Sequence, residues 1–176
     1  MSEPRPLILT AEMDEASFDW FDALRRAHFP PERNFIPAHL TLFHALPGDR
    51  EAEIGEVLKS VCAGRSSPTL RVTGVWSLGR GVAYRLASPE LEAVRAELAR
   101  TFAPWLTRQD QAGWRPHVTV QNKVDPKDAR ALLDDLQHAF EPFDVVAEGL
   151  LLWRYLGGPW EPLGRVPFGT RPAKVS

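Results

Sequence analysis

His39-Leu40-Thr41-Leu42 and His117-Val118-Thr119-Val120 share one pattern: a histidine, an apolar residue, a threonine and another apolar residue. In an extended strand successive side chains alternate between faces. Each copy therefore sends its His and Thr to one side and its apolar residues to the core. Two such strands side by side would present two imidazoles and two hydroxyls to one cleft. Pro37-Ala38 precedes the first copy and Arg115-Pro116 the second, so a proline stands just ahead of each strand. The competing reading is two unrelated strands whose histidines face solvent or a satisfied core.

The likeness extends beyond the motifs. After His39 come a helical pattern, the strand pattern Leu70 to Trp76, a glycine turn and another strand. After His117 come a helical pattern, the strand pattern Val145 to Trp153, a glycine turn and another strand. His39 to Trp76 is 37 residues, His117 to Trp153 is 36, and the motifs are offset by 78. A strand–helix–strand–strand unit used twice is expected, over roughly 37–105 and 115–170, within one bilobal domain spanning 1–176. The expected fold class is α+β, with two pseudo-symmetric lobes. Each would be an antiparallel sheet with helices packed outside, and the motif strands would meet in a central cleft.

The remaining elements follow from periodicity and punctuation. A first strand is expected over 6–11, and Asp14 caps a helix with Phe18, Phe21 and Leu24 at helical spacing, ending near His28. The first motif strand should run from Ala38 to Ala45. Pro47-Gly48-Asp49 then turns into a helix with Ile54, Val57, Leu58 and Val61 on one face. Strands over 69–77 and 82–87 flank the hairpin turn Leu78-Gly79-Arg80-Gly81. Ser88-Pro89 opens a helix striped with Leu91, Val94, Leu98 and Phe102, and Asp125-Pro126 opens another carrying Leu132, Leu133, Leu136 and Phe140. Strands from Phe143 to Phe168, broken at Gly157-Gly158-Pro159, close the chain. The polar stretch Thr107–Gly113 reads as an exposed loop, or as a mobile flap bringing Arg108 to a phosphate.

Composition narrows the partners. With 176 residues, 44% hydrophobic and six Trp, the chain is of a size and kind to bury a core of its own. A net charge of −2 gives no basic field for holding long nucleic acid, though local Arg and Lys can serve a short or terminal nucleotide. The single cysteine, Cys62, excludes an intramolecular disulfide and a Cys-based zinc site, and its apolar helical position suits a core thiol. No basic segment leads into an apolar run at the N-terminus, and no stretch is apolar for the length of a membrane span. The expectation is a cytoplasmic protein, monomeric by default.

Two His-x-Thr-x strands in duplicated lobes resemble the 2H phosphoesterase superfamily, which includes 2′-5′ RNA ligase-like proteins and cyclic phosphodiesterases. Arg115-Pro116-His117-Val118-Thr119-Val120-Gln121-Asn122-Lys123 is especially similar to the bacterial 2′-5′ RNA ligase-like branch. The resemblance covers nearly the whole chain in plan and is specific in the two motifs. It implies a central cleft, a metal-independent phosphoester chemistry with no cofactor, and a nucleotide or RNA terminus with a cyclic phosphate as partner. His39, Thr41, His117 and Thr119 take the catalytic positions.

The chemistry suits those residue types. Opening a 2′,3′-cyclic phosphate needs a water deprotonated and a ribose oxygen protonated as it leaves, and imidazole exists in either state near pH 7. Threonine hydroxyls can donate to the non-bridging oxygens. Run backwards, the same site joins a 5′-hydroxyl to the cyclic phosphate through a 2′-5′ link. Which His is acid and which base is not readable.

Strand parity adds Arg115, Phe43 and Gln121 as candidate substrate-binding residues on the motif face, for a phosphate, a base, and a base or ribose respectively. The competing readings are a surface arginine, a core phenylalanine and an ordinary strand-end amide. Tyr84, Trp153 and Tyr155 are aromatics on neighbouring strands, read as packing. His44 has the opposite parity to His39 and is expected outside the cleft; His28 and His138 read as helix-end and outer-face residues. Two rival functions remain. A metal hydrolase normally needs three protein ligands, and no His-x-His or His with a same-face carboxylate is present. A non-catalytic nucleotide or RNA-end binding protein is the alternative; turnover separates it from an enzyme.

Overall fold

Asp14 does two jobs at the start of the chain. Its Oδ2 accepts the backbone N–H of Ser17 at 3.1 Å, capping the first helix, and its Oδ1 accepts the N–H of Val146 at 2.8 Å, tying that helix to a strand far along the sequence. The computed structural model describes residues 3–169. The strands are β1 (Leu7–Met13), β2 (Leu40–Leu46), β3 (Thr69–Ser77), β4 (Val82–Ala87), β5 (His117–Gln121), β6 (Phe143–Tyr155) and β7 (Trp160–Pro167). The helices are α1 (Glu15–His28), α2 (Glu51–Cys62), α3 (Pro89–Phe102), the single-turn α4 (Arg108–Gln111) and α5 (Pro126–Ala139).

The fold is α+β. All strand pairings are antiparallel, in the order β2-β1-β6-β3-β4-β5, with β7 added to β6. The 13-residue β6 belongs to both halves: Phe143–Val146 pair with β3, while Ala147–Arg154 pair with β1. The motif strands β2 and β5 are the two ends of this path, and they lie against each other.

Helix stripes fill the space against the sheet. Ser88 Oγ accepts the N–H of Leu91 at 3.1 Å, Pro89 occupies the first turn, and Leu91, Val94, Leu98 and Phe102 are all buried. Ile54, Leu58 and Val61 of α2 are buried with Cys62, whose thiol is pushed up to about 11 by burial and serves as core. Leu132 of α5 is buried, and Leu133, Leu136 and Phe140 pack beside it. Gly79 turns the β3–β4 hairpin at φ +83°, and a Cβ on Gly81 would collide with the carbonyl of Gln121 where β5 ends. No helix among the described residues is long and apolar enough to cross a membrane. The stretch expected as a loop or flap is α4: Thr107 Oγ1 accepts the N–H of Asp110 at 3.3 Å, and Asp110 is buried. Asp110 anchors the stretch, and the residues on either side of it are exposed.

Candidate active site

Both motifs alternate as their sequences demand. His39, Thr41, His117 and Thr119 are half-buried, while Leu40, Leu42, Val118 and Val120 are fully buried. His39 lies one residue ahead of the β2 ladder and His117 opens β5. Each imidazole is held the same way. Nδ1 of His39 lies 2.9 Å from the carbonyl of Pro37, and Nδ1 of His117 lies 2.8 Å from the carbonyl of Arg115. A carbonyl only accepts, so Nδ1 carries the hydrogen and Nε2 is the atom left for chemistry in both rings.

The two strand ends are tied crosswise. Arg25 of α1, buried, donates through Nη1 to the carbonyl of Thr119 at 3.0 Å and through Nε to Asn34 Oδ1 at 2.9 Å. Trp114, just before β5, donates through Nε1 to the carbonyl of Thr41 at 2.9 Å. Each catalytic-position threonine therefore has its backbone fixed by a residue from the other half. Sequence reasoning missed both ties. Arg25 sits among the polar residues of an amphipathic helix, with nothing local to mark it as buried.

Alternation stops after each motif, and three expectations fail there. Along β1–β2 the register runs Thr10 to Thr41 and then Leu9 to Phe43, and along β4–β5 it runs Ala83 to Thr119 and then Val82 to Gln121. Each is a β-bulge, which inserts one extra residue and rotates the side chains beyond it. Phe43 is fully buried, packs 5.8 Å from Phe102 and carries the guanidinium of Arg95 4.4 Å above its ring. It belongs to the core and not to a substrate surface. Gln121 is likewise buried, off the exposed motif face, with Oε1 unpartnered among the described residues. His44, expected outside, is turned back to the cleft.

Two cavities flank this centre. One, of about 240 Å³, is walled by Thr41, His44, Gln109, Trp114, Arg115 and His117. Arg115 thus stands where parity put it. The other, of about 380 Å³, adjoins His39 and is lined by Phe18, Ile36, Trp153 and Trp160, with Glu12, Glu15 and Glu148 also in its wall. Trp160 meets His39 edge-on at 4.8 Å, and Trp76 lies 5.9 Å from His117. Tyr84 is buried among Trp20 and Phe21 as packing. No group of three or more His, Cys, Asp or Glu is gathered as a metal site among the described residues.

Electrostatics separate the groups. Burial pulls His39 down to about 4; its bond to Pro37 opposes this, and the charges of Arg25, His117 and His44 reinforce it. Burial also pulls Arg25 down to about 10, against the attraction of Asp22. Burial alone would push Asp110 up, but hydrogen bonds from the His44 ring and from the N–H groups of His44 and Ala45 hold it below the usual carboxylate range.

The 2′-5′ RNA ligase superfamily model matches residues 13–159. Among solved structures, E. coli LigT complexed with NADP+ superposes with a TM-score of 0.61 at 19% identity, covering 96% of this chain and all of that one. TT0787 of Thermus thermophilus gives 0.60 at 14% identity, with 94% and 98% covered. A structure described as a phosphoesterase gives 0.58 at 20% identity, with 94% and 99% covered. No functionally curated protein matches the chain. The structural likenesses carry the fold, and the family model covers most of the sequence: the chain belongs to the 2′-5′ RNA ligase superfamily.

Proposed function

We propose that this protein is a metal-independent phosphoesterase that opens 2′,3′-cyclic phosphates, or makes and breaks 2′-5′ phosphodiester bonds, of nucleotides or RNA ends. His39 and His117 act as paired acid and base. The observation that carries this is their matched tether: both rings spend Nδ1 on the carbonyl two residues upstream, so both keep Nε2 for proton transfer. In hydrolysis His39, whose pKa of about 4 leaves its lone pair free at neutral pH, takes the proton of the attacking water. His117 in its protonated form gives a proton to the departing ribose oxygen as the P–O bond breaks. Thr41 and Thr119 donate to the non-bridging oxygens. Ligation runs the same steps in reverse, with the two histidines exchanging roles.

Three further observations support a nucleotide. The two cavities of the cleft carry Arg115 and three histidines although the whole chain is slightly acidic. The apolar cavity beside His39 offers Trp153 and Trp160 to a base. E. coli LigT, of the same fold, is described in complex with NADP+ and with 3′-AMP. We assign the protein to the cytoplasm as a monomer, and read the chain as one duplicated bilobal domain.

The test is turnover of the four nucleoside 2′,3′-cyclic monophosphates with EDTA present, separating 2′- from 3′-phosphate products. We expect a 2′-phosphate product that disappears in His39→Ala and in His117→Ala while the circular dichroism stays native. Undiminished activity in either variant, or activity abolished by EDTA, overturns the mechanism. If no mononucleotide is opened, short RNA with a cyclic end is the substrate to supply next.

A further inference from the structure

His44 is the third imidazole at the cleft, and its setting differs from the other two. Its Nδ1 lies 3.1 Å from Oδ1 of Asp110, a carboxylate that is 1% exposed. Both oxygens of that carboxylate are further occupied, by the N–H of His44 at 2.9 and 3.0 Å and by the N–H of Ala45 at 3.0 Å. Arg95, itself buried, donates to the Asp110 carbonyl at 2.7 Å and to the Leu42 carbonyl at 3.2 Å, fixing α4 against the β2 bulge. The acid of the pair is thus enclosed and saturated, while the imidazole is exposed. The pair therefore turns its imidazole end, and not its carboxylate, outward.

That end forms part of the 240 Å³ cavity whose wall also includes Thr41, His117 and Arg115. Among the described residues Asp110 is the only acidic one in that wall, and its oxygens are spent. The cavity on the far side of His39 is mainly apolar, and the charged side chains in its wall are three glutamates, of which Glu12 is paired with Arg165, so no cation in that wall invites an anion. The two flanks of the reacting centre therefore differ in chemistry, one suited to an uncharged ring and the other to an anion.

We infer that His44, held by Asp110, and Arg115 form a subsite for a second phosphate of the substrate, distinct from the phosphate between His39 and His117. The preferred substrate is then a nucleoside cyclic phosphate that also bears a 5′-phosphate, as the last residue of an RNA end does. This rests on the proposed phosphoesterase reading and extends it to a substrate class.

Binding tests the subsite without turnover. The wild type should bind adenosine 2′,5′-bisphosphate at least about tenfold tighter than adenosine 2′-monophosphate by calorimetry. His44→Asn keeps an amide donor for Asp110 and removes the ring, and it should cut that preference about tenfold. Arg115→Gln, at an exposed position, should cut it in the same direction. A purely structural His44 would weaken both ligands together and leave the ratio unchanged, which overturns the inference. Equal wild-type affinities, or no affinity for the bisphosphate, overturn it too. In parallel, adenosine 2′,3′-cyclic phosphate is supplied with and without a 5′-phosphate. A His44-dependent binding preference without opening of either compound removes the proposed reaction and keeps the subsite. Opening of both at equal kcat/KM keeps the reaction and removes the subsite.

Discussion

Acid should destabilise this protein through His39, and the amount follows from its environment. An unfolded chain protonates that imidazole as pH falls through 6.5, whereas the folded protein refuses the proton until about pH 4. The contribution to stability is therefore complete above pH 6.5 and is lost progressively between 6.5 and about 4. At about 1.4 kcal/mol per pH unit, the whole loss is roughly 3 kcal/mol. The cause is geometric: the ring is enclosed between Trp160 and the cleft, with the guanidinium of Arg25 and two other imidazoles acting on it. His39→Gln removes the titration and retains a polar side chain. Urea unfolding of both proteins between about pH 7.5 and 4 isolates the term, because Asp110 and the other carboxylates contribute equally to each curve. The wild type should lose about 2–3 kcal/mol more than the variant over that range. Parallel curves would refute the reasoning, and would show that the folded protein protonates His39 as readily as the unfolded chain does.

Other perturbations separate the parts of the site. Arg25→Met leaves the Thr119 carbonyl and Asn34 Oδ1 without their donor, costing about 2–3 kcal/mol by denaturant unfolding, and removal of its charge should raise the His39 pKa seen by NMR titration. Thr41→Val and Thr119→Val each lose one donor to the phosphate and should lower kcat by about 10²–10³-fold, with KM changed much less. Phe43→Leu should cost about 1–2 kcal/mol of stability through lost contact with Phe102 and Arg95, with KM unaltered; a raised KM would return Phe43 to the substrate surface.

The elements legible in the sequence are those governed by local rules. The strands Thr69–Ser77 and Val82–Ala87 fall where alternation and the glycine turn put them, and Ser88-Pro89 opens α3 as its cap chemistry requires. The in–out pattern of each His-x-Thr-x run is likewise a two-residue period that any strand must obey. What escaped is set by distant partners. A bulge after Leu42 depends on how β1 lies against β2, so nothing in Leu-Phe-His-Ala announces that Phe43 turns inward and His44 outward. The same holds for Gln121 beside β4, where the close approach of Gly81 to the strand end is visible only in three dimensions. Thr107 did carry a helix-start signal, but four residues are too few to stand out as a helix. Asp110 alone among them is buried, because it reaches back across 66 positions to His44.

The sharing of β6 between both halves has a mechanical meaning. A strand that is hydrogen-bonded to β3 at one end and to β1 and β7 at the other is a continuous beam, with no linker at which the halves could flex. The spacing between the two histidines is then a dimension of the scaffold, set during folding and not by ligand arrival. Such a protein works as a fixed gauge rather than a closing jaw. Its discrimination among substrates must reside in what fits the gap, and it should melt in one cooperative transition because neither half can keep its sheet once the beam is lost.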